Sequence, residues 1–225
     1  MKILYVTTLS NTLNAFLISH IDHLLHLGHD VSVACAIEQP LAEYFTNQKI
    51  KIYPIMFNRK PYALDNLFAY HQLKQLVDRE NFDIVHTHTP VASGIARFVC
   101  RQKTTKVFYT AHGFHFYKGA SLVNWLIYYP IEYLLAKWTD KIITINQEDY
   151  HFSQKKFGKH KSFLLNGVGL PLAKYQSLEI DKQAKRRLLG VSQEETIFLS
   201  VGELNHNKNH IAVIEAISQF DFSDF

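Results

Sequence analysis

Thirteen histidines are spread through the 225 residues, and three of them fall where a strand pattern ends. His86 and His88 close the run "FDIVHTHT" (82–89), and His112 lies at the end of "KVFYTAHG" (106–113). An imidazole can exchange hydrogen bonds with a sugar hydroxyl near neutral pH, and it can also ligate a metal. Residues two apart share one face of a regular strand, so His86 and His88 read as a pair. A His-x-His pair with further histidines can begin a metal site, which keeps a metal-dependent hydrolase open as a reading. No carboxylate follows at ligand spacing, and the chain after the third βα unit is too short for an eight-stranded barrel, so no metal is expected. Gly113 would let backbone approach a ligand closely, and His115 follows two residues later. Ser10, Asn11 and Thr12 in "TLSNTLN" offer side-chain hydrogen bonds to a ligand, or cap the helix behind them.

The elements that must position these groups are legible as alternation. Strand patterns cover 2–8, 30–36, 50–55, 82–89, 106–113, 141–146 and 161–166. Helical spacing covers 13–28, 41–48, 66–80, 91–103 and 121–138. The first helix carries Leu13, Leu17, Ile21 and Leu24 at helical intervals, and Gly28 closes it. Strands alternating with helices predict an α/β domain with a doubly wound parallel sheet. In such a sheet, ligands bind outside the carboxyl ends of the strands, where His86, His88, His112 and the 10–12 loop all fall.

Composition narrows the function. Hydrophobic residues make up 47% and charged residues 20%, a globular balance that sets disorder aside. The formal charge of +4 suits a phosphate-bearing partner such as a nucleotide or an anionic membrane surface. It lacks the concentrated basic stripe of a nucleic-acid binder. Cys35 and Cys100 both lie in apolar elements, which fits a reducing, cytoplasmic setting better than a disulfide framework. "MKILYVTTLSN" reads as a first strand rather than a signal peptide. The apolar stretch 121–138 is interrupted by Asn124, Pro130 and Glu132, so it is not expected to span a bilayer.

After residue 166 the pattern changes. Residues 166–177 read as a linker, 181–190 as a basic helix, 196–202 as a strand and 210–220 as a helix. The expected organisation is a domain over 1–170, a linker and basic helix over 171–195, and the first strand–helix unit of a truncated second domain over 196–225. One strand and two helices cannot bury a core of their own.

Several segments in order resemble the family 4 glycosyltransferases of GT-B fold that build capsular and exopolysaccharides. They are "FLISHIDHLLHLGHDVSVACA" (16–36), "DIVHTHTPVASGIAR" (83–97), "YTAHGFHFYKG" (109–119), "INQEDY" (145–150), "LNGVGL" (165–170) and "SVGELNHNKNH" (200–210). The resemblance implies two Rossmann-like domains, the first holding the acceptor and the second a nucleotide-sugar donor. It implies retaining sugar transfer, without a cofactor or metal, to a glycan or polyprenyl-linked acceptor at the cytoplasmic face of the membrane. By the same resemblance His112 is the histidine that approaches the transferred sugar, and His86, His88, His115 and Asn166 line the substrate site. Lys208 matches a lysine aimed at the donor diphosphate, whereas Glu203 stands where relatives carry a basic residue. Relatives carry a Gly-rich turn where this chain has Ser10, Asn11 and Thr12. The Glu pair that retaining relatives use near the donor has no match here, and Glu215 does not fit its position. A second reading is therefore a fragment that binds acceptor or a partner without catalysis. The aromatic residues of 115–138, with Lys118, Lys137 and Lys141 beside them, suit a bilayer interface or sheet packing.

Overall fold

The computed structural model describes residues 1–169, 172–176, 179–206 and 208–220. The chain divides into two compact units, Met1–Leu170 and Pro171–Phe225.

In the first unit β1 (Lys2–Leu9), β2 (Asp30–Ala36), β3 (Lys51–Pro54), β4 (Ile84–His88), β5 (Lys106–Ala111), β6 (Lys141–Thr144) and β7 (Ser162–Leu164) form one sheet. The order is β3-β2-β1-β4-β5-β6-β7, and each neighbouring pair is parallel. β1 lies inside the sheet, between β2 and β4, and every residue after Lys2 is buried, as a near-continuous apolar run in a two-sided sheet requires. Its alternation divides the core. Ile3 and Tyr5 pack with Leu13, Leu17 and Ile21 on one face, against the helical stretch α1 (Ser10–Thr12), a π-helical turn (Leu13–Leu17) and α2 (Ile18–His26). Leu4 and Val6 pack on the other face against α4 (Asp65–Glu80) and α5 (Pro90–Cys100) through Leu73, Val77, Ala92 and Ala96. The small residues of α5 allow it to lie close on the strands. Leu73→Ala would remove a fully buried side chain, at a cost of about 2–5 kcal/mol.

α3 (Glu43–Asn47) adds Phe45 to the first face. On the second face, Tyr109, Ala111 and Ile142 pack with Ala136 of α6 (Leu122–Ala136) and Phe157, which follows α7 (Gln147–Lys156). Helices on both faces of a parallel sheet make this a doubly wound α/β domain.

Two local expectations need correction, and one helix went unexpected. The first helix begins at Ser10, not at residue 13, and its first turns include the π-helical segment. α7 carries no apolar period because the residues it buries are Asp149 and Ser153, so its helical character was invisible to hydrophobic spacing. In the second unit the 196–202 run forms no strand: no partner strand lies among the described residues of that unit, and Leu199 and Val201 stand exposed. A strand needs a hydrogen-bonded neighbour.

The described residues of that unit hold three helices, α8 (Leu172–Gln176), α9 (Lys182–Leu189) and α10 (His210–Ser218). α8 falls within the expected 166–177 linker, of which residues 170, 171 and 177 lie outside the described residues. α9 is capped by the Asp181 side chain and closed by Gly190 at φ 68°.

Candidate functional site

The strand order reverses between β1 and β4, with β2 and β3 on one side and β5 to β7 on the other. Their carboxyl ends therefore diverge into a crevice, the usual ligand position in such sheets. A cavity of ≈ 320 Å³ occupies it, lined by Thr8, Thr12, Arg59, Thr89, His115 and Tyr128 among others. Thr89 joins β4 to α5 at φ 67° and ψ 139°, a conformation in which a β-branched residue is strained by about 1–3 kcal/mol. β1 holds it there. The Thr8 amide donates to Thr89 Oγ1 at 2.9 Å and the two hydroxyls lie 2.8 Å apart.

The three strand-end histidines meet on the α2 face, and they divide the work. His86 hydrogen-bonds Thr110 Oγ1 through Nε2 at 2.8 Å and lines a separate cavity beneath α2 with Tyr5, His20 and Phe108. It does not face the crevice, so a direct contact with a ligand there is not its geometry. His88 is buried, with its ring stacked on Tyr5 at 5.7 Å between centroids and 4.5 Å from that of His86. Its Nδ1 lies 3.2 Å from Nε2 of His112. His112 itself is exposed at the end of β5, with the Phe16 ring 6.3 Å away. His88 thus contacts the solvent-facing ring rather than solvent.

Burial holds all three rings neutral. It lowers His86 to about 3, with the neighbouring His20 and His112 rings adding repulsion. It holds His88 well below its ordinary value, again with help from the surrounding imidazoles. His112 is lowered by partial burial and by His20. A neutral ring donates at one nitrogen and accepts at the other, which suits a hydroxyl partner. Among the described residues no group of three or more His, Cys, Asp or Glu is arranged to hold a metal ion.

Gly113, at φ 143°, turns the chain across the sheet end, a conformation that favours glycine. His115 consequently leaves the α2 face, stacks on Tyr128 with centroids 4.7 Å apart and lines the crevice. The first turn of α7 fixes this loop. Asp149 accepts from the Phe114 amide at 3.1 Å and Glu148 accepts from the Lys118 amide at 2.7 Å. Asn146 caps α7 by accepting from the Asp149 amide. Its spacing from Asp149 is that of a capping pair, the signal that would have located the helix.

The other expected residues are placed as follows. Ser10 is buried and its hydroxyl donates to the Gln39 carbonyl at 2.8 Å, so it neither caps the helix nor faces the crevice. Asn11 is partly exposed, and Thr12 lines the crevice. Asn166 is exposed beyond β7. Lys208 belongs to the second unit, with its stem against Gly202 and its amide donating to Asn205 Oδ1 at 3.1 Å. Glu203, nearby in sequence, accepts from the Asn205 side chain at 2.8 Å.

Sequence spacing missed Arg59, Thr8, Thr89 and the pair Arg97–Glu132. Arg97 is 1% exposed on α5 and meets Glu132 of α6 at 2.5 and 3.1 Å, its guanidinium 4.1 Å from the Tyr109 ring centroid. An Arg seven residues after Pro90 in a small-residue helix and a lone Glu in an apolar one are the only sequence trace of that pair.

Known proteins share much of this sequence and its fold. Residues 14–168 match the Glycosyltransferase Family 4 profile. EpsD of Bacillus subtilis (strain 168), which carries a glycosyltransferase name, is 38% identical over 222 residues, covering 96% of this chain and 56% of that protein. The Escherichia coli UDP-Gal:α-D-GlcNAc-diphosphoundecaprenol α-1,3-galactosyltransferase is 26% identical over 191 residues, covering 83% and 49%. A glycosyltransferase structure from Rickettsia africae superposes with a TM-score of 0.69 at 18% identity, covering 97% of this chain and 57% of that one. The chain spans about half the length of the curated relatives it matches.

Proposed function

The chain belongs to glycosyltransferase family 4, and on that premise we propose that it forms the acceptor side of an enzyme that transfers a sugar from a nucleotide-sugar to a glycan or polyprenyl-linked acceptor in surface polysaccharide synthesis. The observation that carries the proposal is the pairing of an exposed, neutral His112 with a buried His88 behind it, at the carboxyl end of the strand beside the switch point. A hydroxyl presented to His112 would find a ring whose orientation is already set, so positioning is the main catalytic contribution of this unit. Thr12 and His115, with Asn11 and Asn166 on neighbouring loops, would complete hydrogen bonds to the acceptor, while Gly113 keeps the loop close. His86 and Ser10 act behind that surface.

The transfer is of retaining, hexosyl type in this reading, and no residue is assigned as a nucleophile. The second unit supplies the opening of a donor-binding domain from residue 196 onward, where Lys208 meets the donor diphosphate. Glu203 then serves the turn through Asn205 instead of the phosphate. No helix among the described residues is long and apolar enough to cross a membrane. Contact with the cytoplasmic face would instead come through α6, where Leu122, Val123, Leu126 and Ile131 are exposed.

The test is transfer of labelled sugar from a panel of nucleotide-sugars to a polyprenyl-diphosphate-linked acceptor, by the wild type and by His112→Ala. Transfer by the wild type that falls at least a hundredfold in the variant supports the reading. Acceptor binding without turnover in both would support the fragment reading instead, in which this portion of the relatives' length binds acceptor alone.

A further inference from the structure

Three cavities adjoin along the second face of the sheet. The crevice of ≈ 320 Å³ shares Pro61, Pro90, Val91, His115 and Tyr128 with a cavity of ≈ 490 Å³ between α5 and α6. That one shares Pro61, Tyr62, Gly94, Ile95, Ile131 and Leu135 with a third, of ≈ 930 Å³, which reaches Phe98 and Trp138. Together they make one groove that runs from the strand ends along the two helices. From Tyr128 to Leu135 it follows about 10 Å of helix axis, at ~1.5 Å per residue.

The chemistry of the groove changes along its length. At the crevice, Arg59 has no hydrogen-bond or ion-pair partner among the described residues, and neither do the Thr12 hydroxyl and the His115 ring nitrogens. Along the helices the walls are mostly aliphatic and aromatic, and their carboxylate and amide side chains are already occupied. Glu132 is held by Arg97, and Asn66 bonds the Asn58 amide and the Lys60 carbonyl. Gly94 leaves the floor open, since an added Cβ would lie 3.6 Å from Leu135 Cδ1. One end offers an unpaired cation and hydrogen-bond donors. The other offers a mainly apolar trough, open to solvent where Tyr62 and Ile131 stand exposed, with His71 and Arg101 in the third cavity.

From this gradient we propose that the groove binds a single amphiphile, a lipid phosphate or diphosphate. Its anionic head meets Arg59 at the crevice and its hydrocarbon chain lies between α5 and α6. The proposal rests on the acceptor reading above and deepens it: the lipid carrier is held by this unit, with its head beside His115 and its first isoprene units against Ile95, Ile131 and Leu135. Arg59 is a binding residue in this account and takes no part in bond making. A guanidinium fits a phosphate bidentately, and a branched apolar chain fits an aliphatic and aromatic wall.

The experiment is calorimetric titration of the 225-residue chain with monomeric farnesyl phosphate, farnesol and inorganic phosphate. The wild type should bind farnesyl phosphate at least tenfold more tightly than either of the others. Arg59→Ala, an exposed position that leaves the core untouched, should weaken farnesyl phosphate about tenfold and leave farnesol unchanged. Ile131→Lys, at a half-exposed position, should weaken both lipids about tenfold. Circular dichroism checks that both variants are folded. Farnesyl phosphate bound no better than phosphate, or bound equally by all three proteins, would overturn the proposal. So would uptake onto phosphatidylglycerol vesicles that neither variant alters, without monomer binding, which is attachment to a surface and not occupancy of a groove. Sugar transfer without farnesyl phosphate binding would overturn the groove and leave the enzyme reading intact. Binding without transfer supports the groove and counts against that reading.

Discussion

On the α2 side of the sheet, polar side chains bond to one another: His86 to Thr110, and His88 to His112, with His88 stacked on Tyr5. On the α5–α6 side the arrangement is reversed. There the buried charges, Arg97 and Glu132, are satisfied deep in the wall, while Arg59 and His115 at the mouth, with the Thr12 hydroxyl that α1 brings to it from the other face, have no hydrogen-bond partner among the described residues. Side chains bonded to one another orient a group, although His88 Nε2 is buried without a partner among the described residues, whereas unpaired groups at the mouth of a cavity are positioned to accept a ligand. The two sides of one switch point therefore read as a positioning side and a binding side.

Removing the imidazole that the positioning side presents should have the largest effect. His112→Ala is expected to lower transfer by roughly 10²–10⁴, the usual contribution of a positioned acid–base side chain. His88→Phe, which keeps the packing on Tyr5 but loses the nitrogen, should lower kcat more than it raises KM for the acceptor. A purely structural His88 would move unfolding and leave that split unchanged.

Next comes the wall of the binding side. Glu132→Ala strands a buried guanidinium and should cost about 3–5 kcal/mol in urea unfolding, whereas Arg97→Met with Glu132→Leu should fall close to wild type. If both changes cost the same, the pair does more than satisfy its own charges.

Acid should separate the sides more gently. His86, His88 and His112 are held below their ordinary value of 6.5 in the fold, His86 at about 3. Above pH 6.5 the rings are neutral in both folded and unfolded chains and contribute no pH dependence. Below it the unfolded chain takes up protons that the folded one refuses. Stability should then fall as pH drops, by about 1.4 kcal/mol per pH unit for each buried ring, with the His86 share continuing to near pH 3. Urea midpoints at pH 7.5, 6.5, 5.5 and 4.5 read this slope, which His86→Phe and His88→Phe should flatten.

The smallest effect is expected at the hinge between the sides. Thr8→Val removes a hydroxyl contact to Thr89 and should cost about 0.5–1.5 kcal/mol by chemical denaturation, with a matching loss of acceptor affinity as Thr89 relaxes. A larger loss of affinity than of stability would show that the strained turn shapes the crevice.

Much of the frame was legible because period and position carry it. The β-branched runs from 2–8 to 161–166 mark all seven strands, and Gly28 marks a helix end. The strand ends in turn mark His112 as a group at the carboxyl edge of the sheet, where the structure has it. Side-chain direction was not legible. That both rings meet Tyr5 on the α2 face, with His88 fully buried there, follows from how β4 packs against β1 and β5, which spacing does not encode. Ser10 reads as a cap, yet it is drawn to the Gln39 carbonyl, 29 positions away in sequence. α7 stayed hidden because it buries polar residues. Arg59 lies in a loop with no periodic pattern, and only the cavity gives it meaning. The 196–202 run shows the opposite failure, in which a good strand pattern has no neighbour to pair with among the described residues of its unit.

The central claim is that a sugar acceptor sits at the switch point with its reacting hydroxyl at His112. A crystal structure of the chain with a short-chain polyprenyl diphosphate sugar tests it most directly. The account predicts an ordered sugar within hydrogen-bond distance of the His112 ring, with the diphosphate at Arg59. An ordered ligand elsewhere on the molecule, with both side chains facing solvent, would contradict it.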